Sequence, residues 1–354
     1  MLDKVAVIGA GSWGTTVAAI ASRSASTVLW ARRPALGHAI DERHENPDYL
    51  PGIALPESLR ATASLEEAVD GASLIVMAVP SHGFRAVLAD LAPYLASDVP
   101  LLSLAKGLEQ GTHLRMTEVM AQVVAGHPAG VLTGPNLARE VVVGQPAATV
   151  VAMTDEAIAR EIQELLRTDT FRVYTNPDLI GCETAGATKN VLAIAAGMIQ
   201  GLGLGDSSLA ALITRGLAEL GRFAVAMGGD PMTMAGLAGV GDLVATCTSR
   251  LSRNRTVGEL LGQGRALDDV LGDMRMVAEG VKSARPLLEL AAAHDVEMPI
   301  GQQVADVLEG IRTPSQTIPA LMLRSAKPEF HGLEGGRRPP SGRSTSGPGA
   351  EGPA

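Results

Sequence analysis

Short apolar runs alternate with amphipathic stretches through the first half of the chain. The runs at 4–8, 27–31, 73–79, 100–104, 130–133, 147–152 and 171–174 are too short for helices and rich in Val, Ile and Leu, and they read as strands. Helical patterns lie between them at 12–24, 64–70, 83–96, 112–126 and 155–167. In the last, Ile158, Ile162, Leu165 and Leu166 share one face. Strands alternating with helices predict an α/β, Rossmann-like N-terminal domain with a mostly parallel sheet covered on both sides. The pattern changes near residue 180. From 181 to 324 no convincing strand is present, and 181–199, 207–228, 232–245, 254–263, 266–272, 283–293 and 300–310 read as helices. Gly181, Ala185 and Gly186 are small enough for helices to approach closely. The expected organisation is therefore a dinucleotide-binding domain over 1–180 and an all-α C-terminal domain over 181–328. A Gly- and Pro-rich tail over 329–354 is expected to be disordered, because it holds too little apolar surface to offset its ordering entropy.

Composition narrows the class. With 354 residues and 46% hydrophobic content, the chain has ample material for two cores. A net charge of −9 and the lack of a basic stripe argue against non-specific nucleic-acid binding. Cys182 and Cys247 are the two cysteines, and no CxxC pair occurs. The histidines are scattered. No metal and no disulfide framework are expected, and a reducing, cytoplasmic location fits. No signal peptide is expected, since the chain opens on the strand Lys4–Ile8. The apolar helix near 185–199 falls short of the roughly 20 residues needed to span a bilayer and carries Lys189 and Asn190, so it reads as a core helix.

The first chemistry lies at the start. Val5–Ile8 is followed by Gly9-Ala10-Gly11-Ser12-Trp13-Gly14, a strand, turn and helix start. Gly9 permits the tight turn, Gly11 lets the backbone approach a pyrophosphate, and Gly14 lets the helix pack on the strand. GxGxxG alone is weak evidence; its position between a strand and a helix supplies the context that the motif requires. At the end of the second strand, where an NAD site usually places an acid, stand Arg32 and Arg33. A guanidinium there binds a 2′-phosphate, stacks on adenine, or is simply solvated. The expectation leans toward NADP without excluding NAD.

Two further features point to the other reactant. The segment 246–255 holds three arginines, several hydroxyls and no acid. Ser252, Arg253 and Asn254, just before a helical pattern, read either as a second anion site or as an ordinary helix cap beside surface arginines. Lys189 sits in a helix that is small or apolar on most sides. It either snorkels to the surface or is desolvated, and desolvation lowers its pKa toward a range that suits proton transfer. Asp242 is its candidate partner or a helix cap. Together these residues suggest hydride chemistry at a phosphorylated alcohol or ketone, with Lys189 handling the hydroxyl proton.

On these residues the chain resembles the bacterial NAD(P)-dependent glycerol-3-phosphate dehydrogenase family. The blocks that carry the resemblance run in family order across residues 4–315. They are Gly9–Gly14, Ala78–Ser81 (AVPS), Ala105–Glu109 (AKGLE), Thr133–Val141 (TGPNLAREV), Gly181–Gly197, Ala210–Leu217, Gly236–Leu243 (GLAGVGDL), Ser252–Asn254 and Val277–Gly280. The resemblance implies that Lys189 is the proton acceptor in oxidation of sn-glycerol 3-phosphate and the donor in reduction of dihydroxyacetone phosphate. It implies substrate contacts from Lys106, Gly134, Asn136, Asp242, Ser252, Arg253 and Asn254. It implies cofactor contacts from Ser12, Trp13, Arg32, Arg33, Lys106, Ala138, Arg253, Val277 and Glu279. The implied role is supply of glycerol 3-phosphate for glycerophospholipid synthesis, and the implied assembly is a homodimer. The sequence departs from the family where Asn136 replaces a common Ser and where Asp206-Ser207-Ser208 precedes the AALITRGL block. Two competing readings are a related dehydrogenase acting on a β-hydroxy acid and a catalytically idle cofactor sensor. The phosphate-suited Ser252–Asn254 segment speaks against the first, and Lys189 paired with Asp242 against the second.

Overall fold

The computed structural model describes residues 2–274, 278–326 and 328–329. Val277 and the tail from residue 330 onward therefore lie outside the described residues. The first half builds eight strands: β1 (Lys4–Ile8), β2 (Ser26–Trp30), β3 (Leu59–Thr62), β4 (Leu74–Met77), β5 (Leu101–Ser103), β6 (Ala129–Thr133), β7 (Ala147–Met153) and β8 (Phe171–Asn176). They form one sheet in the order β3-β2-β1-β4-β5-β6-β7-β8. The pairs from β3 to β6 are parallel, β6 and β7 are antiparallel, and β7 and β8 are parallel. The link from β6 to the reversed strand β7 carries only a five-residue helix, Ala138–Val142.

Alternation along β1 shows how both faces are buried. Val5 and Val7 join one apolar cluster with Leu29, Val76 and Leu132, while Ala6 and Ile8 join a second with Ile75, Met77 and Phe84. The helices that cover these faces are α1 (Ser12–Ala21), α2 (Pro34–Arg43), α3 (Leu65–Val69), α4 (Ser81–Leu91), α5 (Met116–Val123), α6 (Ala138–Val142) and α7 (Glu156–Leu166). The sequence reading missed β3 and α2. Leu59 is the one fully buried residue of the edge strand β3, so no apolar run marks it. The α2 helix mixes small and apolar residues with a charged last turn, gives no clean apolar period, and is announced mainly by Pro34 in its first turn.

The second half is helical: α8 (Leu179–Gly201), α9 (Asp206–Ala226), α10 (Pro231–Met234), α11 (Asp242–Thr248), α12 (Arg253–Gly262), α13 (Leu267–Asp273), α14 (Glu279–Ala293), α15 (Pro299–Leu308) and α16 (Pro314–Met322). The single helix expected over 232–245 is split. Between α10 and α11 the chain widens into a π turn over Leu237–Gly241, where Gly236, Gly239 and Gly241 weaken regular helix. The split matters because it makes Asp242 the first residue of α11.

Helix α8 is the axis of this half, buried on nearly every side from Gly181 to Met198. Its contact with α12 is unusually close. A Cβ on Gly197 would lie 2.0 Å from the Arg255 carbonyl oxygen, and one on Gly258 would lie 1.9 Å from that of Ile194. The paired glycines let the two backbones touch, and this brings the start of α12 beside the middle of α8. No helix among the described residues is long and apolar enough to cross a membrane.

Candidate active site

The carboxyl ends of the parallel strands converge where a doubly wound sheet places its ligand. After β1, Gly9 adopts φ +123°, a conformation that L side chains rarely reach. A Cβ on Gly9 would meet the Ala78 carbonyl oxygen at 2.7 Å, and one on Gly14 would meet the Gly9 carbonyl oxygen at 2.1 Å. Gly11 differs: nothing lies within 4 Å of its absent Cβ. Gly9 and Gly14 are thus fixed by packing, while Gly11 leaves an open backbone face at the start of α1. That cradle fits a dinucleotide pyrophosphate. The segment 46–49 braces it. Asn46 is fully buried and donates to the Ala10 carbonyl at 3.0 Å, and the Ser12 hydroxyl donates to the Tyr49 carbonyl at 2.9 Å.

The other residues expected at the cofactor end are spread around this cradle. Trp13 packs edge-on against Phe171, with ring centroids 6.2 Å apart. Ala138 opens α6, and its carbonyl accepts from the Thr16 hydroxyl of α1 at 3.3 Å. Arg32 is exposed. Arg33 is tied down: it pairs with Asp48 at 2.5 Å, and its guanidinium lies 5.9 Å from the Tyr49 ring centroid.

The chemistry-bearing cluster lies where loops after β5 and β6 meet α8 and α11. Lys189 does not snorkel; it is 5% exposed. Its Nζ donates to Asp242 Oδ1 at 2.5 Å and to Thr246 Oγ1 at 2.7 Å. Lys106 approaches the other carboxylate oxygen, Oδ2, at 2.7 Å and also donates to the Gly134 carbonyl at 3.0 Å. One buried carboxylate therefore bridges two ammonium groups. An ammonium has three N–H donors, and each lysine uses two of them on these partners. The third of each remains for an oxygen of a bound molecule.

Burial lowers the Lys189 pKa to about 8; Asp242 raises it and the neighbouring Lys106 lowers it further, so the pair of charges only partly offsets desolvation. Burial would raise Asp242, but the two ammonium groups outweigh it and hold the carboxyl below its ordinary value. Asp242 is thus more than a helix cap. It is an ionised anchor that sets the positions of both lysines.

The start of α12 closes the cluster. Ser252 caps the helix, its Oγ accepting from the Arg255 amide at 3.3 Å, which leaves its O–H free to donate outward. Asn254 is held by two bonds, one to Asn190 Oδ1 at 2.9 Å and one from the Gly280 amide at 2.9 Å. Asn190 in turn donates to the Lys106 carbonyl at 2.8 Å, so α8, α12, α14 and the β5 loop form one network. Arg253 is exposed at the head of α12. Glu279, at the head of α14, reaches the Ser81 amide at 3.4 Å. Burial raises the Glu279 carboxyl, with Arg253 opposing the rise, and the charges of Lys189 and Lys106 also bear on it. The predicted Lys189, Asp242, Lys106, Gly134, Ser252, Arg253, Asn254 and Glu279 are thus brought to one cleft.

Asn136 is placed differently. Its carboxamide is bonded at both ends to β7, donating to the Ala148 carbonyl at 2.9 Å and accepting from Thr149 at 2.8 Å. It shapes the Gly134 loop, where φ is +139°. Sequence reasoning missed Thr246 and Asn190. The signal for Thr246 was its place four residues after Asp242, on the same helical face. The signal for Asn190 was only its adjacency to Lys189.

The chain is similar to known proteins over most of its length. The family model for the NAD-dependent glycerol-3-phosphate dehydrogenase N-terminus matches residues 4–159, and the model for the C-terminus of the same family matches residues 178–319. Glycerol-3-phosphate dehydrogenase (NAD(P)+) 2 of Sphingopyxis alaskensis is 54% identical over 328 residues, covering 93% of this chain and 98% of that protein. Glycerol-3-phosphate dehydrogenase (NAD(P)+) of Thermobifida fusca is 52% identical over 336 residues, covering 94% of this chain and all of that protein, 100%. Among solved structures, glycerol-3-phosphate dehydrogenase of Coxiella burnetii superposes with a TM-score of 0.88 at 36% identity, covering 91% of this chain and 99% of that one.

Proposed function

The chain belongs to the NAD-dependent glycerol-3-phosphate dehydrogenase family, and from that membership we propose a division of labour within its cleft. The enzyme is an NAD(P)-dependent oxidoreductase that interconverts dihydroxyacetone phosphate and sn-glycerol 3-phosphate. In the proposed scheme residues 1–180 hold the dinucleotide, residues 181–328 supply the catalytic face, and Lys189 exchanges the proton. The observation that carries this reading is the buried Lys189 ammonium, fixed by Asp242 and Thr246 with one donor to spare.

The dinucleotide, when bound, supplies or accepts the hydride. The chain does the rest. In reduction, the free N–H of Lys189 meets the ketone oxygen and its proton passes to that oxygen as the alcohol forms. In oxidation, the neutral Lys189 amine takes the hydroxyl proton. Lys106 places a second donor beside the first, and the Gly134 loop holds Lys106. Ser252, Arg253, Asn254 and the first amides of α12 receive the phosphate, which suits a helix N-terminus with charged and hydroxyl donors. Asn136 acts through the Gly134 loop. Gly9, Gly11, Ser12, Trp13, Gly14, Arg32, Arg33, Ala138 and Glu279 line the cofactor side. We place the enzyme in the cytoplasm as a homodimer that feeds glycerophospholipid synthesis. The two free, buried cysteines suit a reducing compartment.

The defining assay is oxidation of NADH or NADPH by purified enzyme given dihydroxyacetone phosphate, followed by loss of reduced-nicotinamide absorbance. Turnover with at least one cofactor is expected; none with either would overturn the reading. The Lys189 pKa of about 8 also sets a sign. Reduction needs the ammonium, so its kcat is expected to fall as pH rises through about 8. Oxidation needs the free amine, so its kcat should rise through the same interval. Parallel pH profiles in the two directions would count against Lys189 as the proton carrier.

A further inference from the structure

Three basic side chains stand near the carboxyl ends of β2 and β4 and the start of α14, and only Arg32 among them has been given a role. Arg32 follows β2, His82 is the second residue of α4 after β4, and Lys282 lies one turn into α14. All three are exposed, and none makes a hydrogen bond or ion pair with another described residue. Arg33, by contrast, already shares the carboxylate of Asp48. In an acidic chain of net charge −9, two cations and an imidazole with no carboxylate bonded to any of them, among the described residues, are unusual company.

The fold brings them together. β2 and β4 flank β1 on either side, so their ends lie about 10 Å apart across two strand spacings. The contact of Glu279 with the Ser81 amide sets the start of α14 against the start of α4. Lys282, three residues past Glu279, lies on the same side of that helix. The His82 ring is exposed on one side and partly desolvated on the other, and its pKa is held below the usual value by that partial burial first, then by the charges of Lys282 and Arg32. Repulsion of this kind is relieved by an anion. A 2′-phosphate carries close to two negative charges, and a neutral or charged imidazole can donate an N–H to it.

We propose that Arg32, His82 and Lys282 together form the seat for the 2′-phosphate of NADP, with Lys282 reaching it from the helical half of the molecule. The assignment rests on the dinucleotide site proposed for the Gly9–Gly14 loop, and it deepens that site by naming its discriminating residues. Lys282 couples cofactor identity to contact between the two halves. NADP engages α14 at its adenosine end, and NAD does not.

Binding is measured directly by calorimetric titration of the purified protein with NADPH, NADH, adenosine 2′,5′-bisphosphate and ADP. The wild type is expected to bind the bisphosphate more tightly than ADP. Lys282→Ala should weaken NADPH by about tenfold and His82→Ala by about three- to fivefold, as loss of one charge-assisted contact implies. NADH affinity should move less than about twofold in either variant, and Lys282→Arg should recover most of the NADPH affinity. Equal losses for both dinucleotides, no loss for either, or a wild type that binds ADP as tightly as the bisphosphate would each overturn the assignment. Turnover with NADH and dihydroxyacetone phosphate separates the two levels. If that activity is present and the affinity pattern is absent, the 2′-phosphate seat fails alone. If neither cofactor supports turnover, the parent reading fails.

Discussion

Lys189→Ala is expected to lower kcat by about a thousandfold, within the range that loss of a general acid–base usually costs, while the Kd for NADPH changes less than twofold. The split follows from the geometry. Lys189 touches Asp242 and Thr246 on the helical side, away from the glycine cradle that holds the pyrophosphate. The fold should tolerate the change, because Asp242 keeps Lys106 as a buried counter-charge and is not left alone. Lys189→Arg sharpens the test. It keeps a cation beside Asp242 but cannot release a proton near neutral pH, so it should be almost as inactive as the alanine variant. Single-turnover kinetics and calorimetric NADPH binding measure the two halves of the prediction. A parallel loss of cofactor binding would assign Lys189 to folding of the cleft instead. An arginine variant with near wild-type turnover would leave it a purely electrostatic part.

Gly258→Ala should be among the most damaging single methyl additions to the described residues. Its Cβ would stand 1.9 Å from the Ile194 carbonyl oxygen, 2.8 Å from the Ile194 carbonyl carbon and 3.0 Å from the Cα of Gly197. All three are backbone atoms of α8, so no side chain can rotate away. Relief requires α12 to move off α8, which opens apolar contacts among Val191, Ile194, Val257 and Leu261. Overpacking with backbone displacement costs about 3 kcal/mol or more, which corresponds to a fall in thermal midpoint of at least about 5 °C. Ser252 and Asn254 ride on the head of α12, so the surviving folded protein should also show a raised KM for dihydroxyacetone phosphate. Gly264→Ala serves as a contrast: that glycine has nothing within 4 Å of its Cβ position, and its positive φ of +90° should cost only local strain. Equal destabilisation by the two substitutions would show that the α8–α12 backbones do not touch at Gly258.

The sequence carried most of the architecture because both halves are strongly patterned. Strand β1 alternates its faces, and the Gly9–Gly14 turn follows it directly, so the cofactor end was legible from fewer than fifteen residues. Lys189 was legible as a charge in an apolar helix, although whether it was buried or snorkelled depended on α11, which sequence alone ran together with α10. That error has a physical root. A π turn differs from an α-helix by one residue in hydrogen-bond spacing, and Gly236, Gly239 and Gly241 signal weakness in the helix rather than the geometry that replaces it. The bridging of Lys106 and Lys189 by a single carboxylate was not legible at all. It joins residues 136 and 53 positions apart from Asp242, and no local pattern encodes that meeting. Arg32 and Arg33 read alike in sequence, and only the position of Asp48 separates them.

The shared carboxylate of Asp242 has an electrostatic consequence for how a dianionic substrate arrives. Around the cleft, Lys106, Lys189 and Arg253 face two carboxylates, Asp242 and Glu279, and burial pushes the second of these toward its neutral form. The cleft is therefore a pocket of positive potential set in an acidic molecule of net charge −9. Far from the surface a phosphate meets weak repulsion; within about one Debye length of the mouth, roughly 10 Å at 0.1 M salt, it meets attraction. Added salt screens both fields. The distant repulsion fades first, and the short-range attraction, walled in by protein, persists. Substrate capture by such a cleft depends on ionic strength far less than the protein's overall charge would suggest.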